Sequence, residues 1–139
     1  MKAKIIVKGI IHNKRLGKIL LVQRSSSDPI GADTWENSGG NVEQGEQPEE
    51  AVKREIREET GITEIKIERI AYLTLLDCKE PCLIIAYLCA TQTEAVILSD
   101  EHQAFFWANK EDCVSMLPKA ITDDFEKNNI FEYLWGITD

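Results

Sequence analysis

Glu55, Glu58 and Glu59 stand at i, i+3 and i+4 in the segment EIREE. On an α-helix, where each residue advances by about 100°, they share an arc of roughly 100°. Like charges at this spacing each cost an isolated helix about 0.2 to 0.5 kcal/mol, so a sequence shaped for stability alone avoids them. A divalent cation with oxygen ligands offsets that cost: Mg²⁺ takes a few carboxylates and fills the rest of its shell with water and phosphate oxygens. These residues can therefore hold a hard cation against an anionic substrate. The plain alternative is a charged helix face turned to water, which describes most glutamate-rich helices.

The element that must position the carboxylates is a helix over Pro48–Thr60. Pro48 suits a first helical position, Glu49 and Glu50 favour the positive end of the helix dipole, and Gly61 sits where a left-handed terminating residue belongs. Val52 and Ile56 lie beside the acidic face and can dock the helix, while Lys53 and Arg57 point away. Arg54 can reach Glu58 one turn on, or Glu46 in the preceding loop, and orient a carboxylate from there.

Ahead of this helix, Ala3 to Ile11 and Lys18 to Gln23 read as two strands joined through HNKRLG, a β-hairpin. SSSDPIGADT reads as a surface loop and WENSGGNVEQGE as a glycine-rich connection. Beyond the helix, Ile65 to Asp77, Leu83 to Thr91 and Ala104 to Ala108 have strand character. A short helix over Lys110 to Met116 stops at Pro118. A last helix starts near Thr122 and carries Phe125, Phe131 and Leu134, with Ile121 just ahead, roughly on one side. The order implies an α/β fold with a mixed sheet between helices.

The chain of 139 residues, 43% apolar and 29% charged, fits one domain over 1–139 with a core that needs no staple. No apolar stretch is long enough for a bilayer, and MKAKIIVKGI reads as a first strand and not as a signal peptide, so the expectation is a cytoplasmic protein without a membrane partner. A net charge of -8 disfavours nucleic-acid polymers. A small anionic substrate would need cations between it and the protein. Of the four cysteines, Cys78 and Cys82 are spaced like metal ligands but have no second pair, so Cys78, Cys82, Cys89 and Cys113 read as reduced thiols.

From Gly40 the sequence runs GNVEQGEQPEEAVKREIREETGI: a glycine, five residues, Glu46, seven residues, Arg54-Glu55-Ile56, one residue, Glu58-Glu59, one residue, Gly61 and Ile62. This resembles the Nudix box of the Nudix (MutT-like) hydrolases at every specified position. With a chance near one in fifteen at each fixed position, coincidence is on the order of one in 10⁸, which decides against a merely solvated face. Gln23, Arg24, Trp35 and Gly39-Gly40 extend the likeness upstream. Ser38 departs from it, standing where many members carry proline.

The resemblance implies a Nudix-type α/β/α sandwich and hydrolysis of a phosphoanhydride bond in a nucleoside triphosphate, or in a nucleoside diphosphate linked to another moiety, with Mg²⁺ or Mn²⁺. It implies metal-binding roles for Glu55, Glu58 and Glu59 and for the Gly39 carbonyl, and bracing roles for Gly40, Glu46, Arg54 and Gly61. Glu101 is similar to a glutamate that some members bring to the metals from a later loop, as ligand or base. The candidates for general base are Glu58, Glu55 and Glu101. Relatives occur as monomers or homodimers, and no interface signature is legible here.

Weaker candidates come from the residues alone. Arg24 can meet a substrate phosphate, though a strand-end arginine is more often a surface charge. Phe105, Phe106 and Trp107 can stack a base, with Phe106 the candidate, against the commoner reading of strand aromatics as core or sheet surface. His102 offers an acid or base. Two other functions compete with this one: a non-catalytic nucleotide-sensing module on the same fold, and an isoprenoid diphosphate isomerase, whose cysteine motif is absent.

Overall fold

A computed structural model describes residues 2–77 and 79–137. Cys78, weighed with Cys82 as a metal-ligand pair, lies outside the described residues. The chain forms β1 (Lys4–Asn13), β2 (Lys18–Arg24), β3 (Trp35–Glu36), β4 (Ser38–Asn41), α1 (Pro48–Thr60), β5 (Lys66–Leu76), β6 (Cys82–Ala90), β7 (His102–Ala108), α2 (Lys110–Met116), α3 (Lys119–Lys127) and α4 (Ile130–Trp135). The strands make one sheet in the order β3-β2-β1-β6-β5, with β4 also pairing β1 and β7 pairing β2. β1 and β6 run parallel, and the other pairs are antiparallel. The sheet is mixed, as expected.

The period-two alternation of the central strands builds two cores, one on each face. Val7, Ile11, Leu20, Val22, Tyr87 and Cys89 pack under α1 through Ala51, Val52 and Ile56. Ile10, Ile19, Leu21, Ala86 and Leu88 pack with α2, α3 and α4 through Cys113, Phe125, Ile130, Phe131 and Leu134. The result is the α/β/α sandwich. Burial pushes the thiols of Cys89 and Cys113 up to about 12, so both sit in the cores as thiols.

Two expectations are corrected. The glycine-rich connection is partly sheet: Trp35–Glu36 pairs β2, and Ser38–Asn41 pairs β1 with Lys8 opposite Gly39 and Val7 opposite Gly40. The C-terminal helix begins at Lys119, just after Pro118, and is two helices, broken where Asn129 adopts φ 57°. Asparagine tolerates that left-handed conformation, so the chain turns there and still buries Phe125 and Phe131 in one core.

α1 owes its position to glycines. Its anchor Ile56 lies against Gly9, where an added Cβ would stand 2.7 Å from Ile56 Cδ1. At position 39 a Cβ would overlap the Val7 carbonyl oxygen and stand 2.9 Å from Lys8 Cα, both backbone atoms that cannot step aside. A Gly39→Ala protein is therefore expected to lose stability by about 1 to 3 kcal/mol, as overpacked positions do. Chemical denaturation of the two proteins measures it, and an unchanged midpoint would contradict the packing of β4 on β1.

Candidate active site

α1 is held at both ends in ways that aim its acidic face. At its start the Gln47 N–H donates to Glu50 Oε1 at 3.2 Å, and Pro48 fills a position that needs no donor. At its end Gly61, at φ 73°, donates its N–H to the Arg57 carbonyl. The segment between β6 and β7 then runs along this terminus: Ile97 N–H donates to the Thr60 carbonyl at 2.9 Å and Ser99 N–H to the Glu59 carbonyl at 3.3 Å. Those bonds satisfy carbonyls that a helix end leaves unpaired, and they deliver Glu101 and His102 beside Glu59. A Cβ at position 61 would meet Ile97 Cβ at an ordinary contact distance of 3.4 Å, so the left-handed φ and not the space calls for glycine there.

Glu59 is 3% exposed. Its Oε1 accepts from Ser38 Oγ at 2.7 Å and from the Gly39 N–H at 3.1 Å. Burial nevertheless outweighs these donors and pushes its carboxyl up to about 7. Ser38, the departure from the family pattern, thus supplies a donor that a proline lacks. A carboxylate oxygen of Glu59, one of Glu101 and a ring nitrogen of His102 all lie within 4.8 Å of one another.

Glu55 sits over Gly40, where a Cβ would come 2.5 Å from its carboxyl carbon. Its pKa is raised, mainly by burial and further by Glu58 and Glu101, against the pull of Arg54. Glu58 is the outermost of the three, its side chain 55% exposed. Arg54 ties the group together. Its Nε and one terminal nitrogen grip Glu46 at 2.7 and 3.0 Å, and that nitrogen also meets the Asn41 carbonyl at 3.0 Å. Its other terminal nitrogen meets Glu55 at 3.0 Å and Glu58 at 3.3 Å. The two-pronged bond from Arg54 and the N–H of Glu43 hold the Glu46 carboxyl down to about 2.

Behind Glu59 lies a second charged group that sequence reasoning missed. Glu36 Oε1 accepts from Lys8 Nζ at 3.0 Å and from Arg24 at 3.3 Å, while Glu36 Oε2 faces His102 Nε2 at 2.9 Å. Burial works to raise the Glu36 pKa, but these donors prevail and hold it down to about 2. Lys8 and Glu36 stand in neither a helical face nor a motif, and meet only because β4 pairs β1, so their spacing gave no signal.

The expected phosphate contact, Arg24, has its guanidinium engaged by Asp28 at 2.9 Å and by Glu36. Phe105 and Phe106, 40% and 41% exposed, lie at the sheet surface, while Trp107 is partly buried against the core under α1. Phe106 pairs with Leu21 across β2, and Trp107 Nε1 donates to the Glu94 carbonyl at 3.1 Å. No helix among the described residues is long and apolar enough to cross a membrane.

Comparison with known proteins agrees with this geometry. Residues 3–131 match the NUDIX domain. Nucleoside triphosphatase NudI of Escherichia coli is 34% identical over 125 residues, covering 82% of this chain and 87% of that protein. Among solved structures, a MutT protein from Methanosarcina mazei Go1 is 32% identical with a TM-score of 0.77, covering 92% of this chain and 94% of its own. A C. elegans Ap4A hydrolase is 27% identical with a TM-score of 0.79, covering 94% and 98%. With the sheet, the box helix and these relatives in accord, the chain belongs to the Nudix (MutT-like) family and is a hydrolase of phosphorus-containing acid anhydrides.

Proposed function

We propose that this hydrolase requires a divalent cation, Mg²⁺ or Mn²⁺, and cleaves a phosphoanhydride bond in a nucleoside triphosphate or in a nucleoside diphosphate joined to another moiety. The observation that carries the reading is Glu59, a carboxylate 3% exposed that receives two donors and no cationic side chain within ion-pair distance among the described residues. Its neighbours Glu101 and His102 complete an oxygen and nitrogen donor set of the kind that divalent ions take. The space above Gly40 that a side chain would fill is given to the Glu55 carboxylate. The residues present therefore fit a divalent ion.

In this reading Glu55, Glu58, Glu59 and Glu101 hold the ion, with the Gly39 carbonyl as a backbone donor. When bound, the ion supplies neutralisation of the phosphate oxygens and acidifies water. Glu58, Glu55 and Glu101 are the carboxylates placed to accept the proton of the attacking water. Arg54 and Glu46 fix the loop against the helix, so the carboxylates keep their geometry on a rigid element. Phe106 offers a half-exposed ring for a base. Arg24, already paired twice, can offer a phosphate only the donors those pairs leave free. The relatives named for nucleoside triphosphates and for Ap4A share a phosphate chain attached to a nucleoside, and that is the substrate class assigned.

A substrate panel of nucleoside triphosphates, assayed for phosphate after pyrophosphatase treatment, and of dinucleoside polyphosphates, ADP-ribose and sugar nucleotides, assayed for phosphate after alkaline phosphatase treatment, tests the proposal. Turnover is expected with Mg²⁺ and none with chelator; tight binding without turnover on every member would make the chain a sensor. Glu58→Gln and Glu59→Gln are each expected to lower kcat by about 10² to 10⁴-fold, the range of a group acting on the reacting centre. Wild-type turnover in both would remove the box glutamates from the mechanism.

Burial of Glu59 has a further, metal-free readout. Its folded-state pKa is raised to about 7 from the ordinary 4.5, so the folded protein binds this proton more tightly than the unfolded chain does. The contribution is present in full below the unfolded value and is lost as pH rises from about 4.5 to about 7. In chelator, Glu59→Gln is expected to be more thermostable than wild type at pH 8, with the difference shrinking toward pH 5. Melting curves across that interval measure it, and equal melting temperatures at pH 8 would contradict the burial of an anion at this position.

A further inference from the structure

His102 lies beside the buried Glu59 carboxylate and has no part in the water activation described above. Its side chain is 2% exposed. Nε2 lies 2.9 Å from Glu36 Oε2, and Glu36 is an ionised acceptor, because its other oxygen already takes Lys8 Nζ and Arg24. The proton of that bond must come from the imidazole, so in the neutral ring the hydrogen sits on Nε2 and Nδ1 carries the lone pair. Nδ1 is buried and has no hydrogen-bond partner among the described residues. A buried polar atom without a partner is costly to the fold, and a ligand that takes up the lone pair removes that cost.

The same ring comes to a carboxylate oxygen of Glu59 and one of Glu101, with all the ligand atoms within 4.8 Å. Bond lengths of about 2.1 Å put ligands of one ion roughly 3 to 4 Å apart, so a small inward movement of exposed Glu101 closes the set. Glu36, in turn, stands to His102 as a carboxylate stands to a metal-bound histidine, orienting the ring through the nitrogen that does not bind. Nothing in the box glutamates requires this arrangement. It is a feature of β3 and the start of β7 in this chain.

We propose that His102 binds a divalent ion through Nδ1 together with Glu59 and Glu101, giving a mixed nitrogen and oxygen site that prefers Mn²⁺ or another transition-metal ion to Mg²⁺. Mg²⁺ favours oxygen ligands and sheds water reluctantly, whereas imidazole nitrogen suits the first-row transition metals. Glu36 is then a positioning residue, and its part-buried ion pairs with Lys8 and Arg24 keep it anionic. The assignment rests on the proposed role of Glu59 and Glu101 as metal-facing carboxylates.

Pulsed electron paramagnetic resonance of the Mn²⁺-loaded full chain tests this without an activity measurement. A nitrogen coupling from directly bound imidazole is expected, and histidine isotopically labelled in its ring nitrogens should change its pattern in the unmutated protein. His102→Gln should abolish the coupling and His12→Gln should leave it. Calorimetric titration should show Mn²⁺ bound at least about tenfold more tightly than Mg²⁺ by wild type, with that ratio reduced in His102→Gln, in line with the 10 to 100-fold that metal-site partners contribute. Mn²⁺ binding that depends on Glu59 but shows no histidine nitrogen would overturn the role of His102 and leave the hydrolase reading intact. No Mn²⁺ binding at all would overturn both.

Discussion

Removing a carboxylate from water is costly unless donors or a cation replace the water, and the structure around Glu59 is organised by that constraint. Ser38 and the Gly39 N–H provide two donors, but both converge on one oxygen, Oε1. The other oxygen receives no hydrogen bond among the described residues. Placing Ser38 and Gly39 there requires β4 to run tightly beside β1, which requires a residue without a side chain at position 39. The backbone geometry of the sheet and the electrostatics of one buried acid are thus a single problem with a single solution.

Arg54 solves the matching problem on the outer side. Three acids at helical spacing repel one another, and Glu55 and Glu58 share one terminal nitrogen of Arg54. The remaining donors are spent on Glu46 and on the Asn41 carbonyl, so the same side chain fastens the loop before α1 to the helix. A lysine could neutralise charge but has no planar fork to bridge loop and helix at once. The helix therefore carries a bare carboxylate at its buried end and partly neutralised ones at its outer end.

The sequence made legible the parts whose signals are local. α1 runs over Pro48–Thr60 and α2 over Lys110–Met116, the expected bounds, because capping residues, Pro118 and Gly61 act within a turn of where they stand. The bond of Arg54 to Glu46 was legible for the same reason. β3 and β4 were not, since SGGN has little strand propensity and is held in the sheet by its partner β1. The break at Asn129 was hidden because an apolar face continues across it. The Lys8, Glu36, His102 and Arg24 group is assembled from four strands or their ends, and nothing short of the sheet register could have announced it.

That register also bears on how a departure from a family pattern should be judged. A proline at position 38 would stiffen the turn into the glycines and offer Glu59 nothing. Serine there keeps a donor at 2.7 Å in a buried place, so the local rigidity lost from the ring is replaced by a bond that specifies where the carboxylate points. A buried charge-assisted bond of this kind contributes more than a typical neutral one, and it acts on the residue whose orientation matters most to the site. The position opposite Gly9 is therefore a point where the chain exchanges backbone restraint for side-chain restraint and keeps Glu59 aimed at the space it shares with Glu101 and His102.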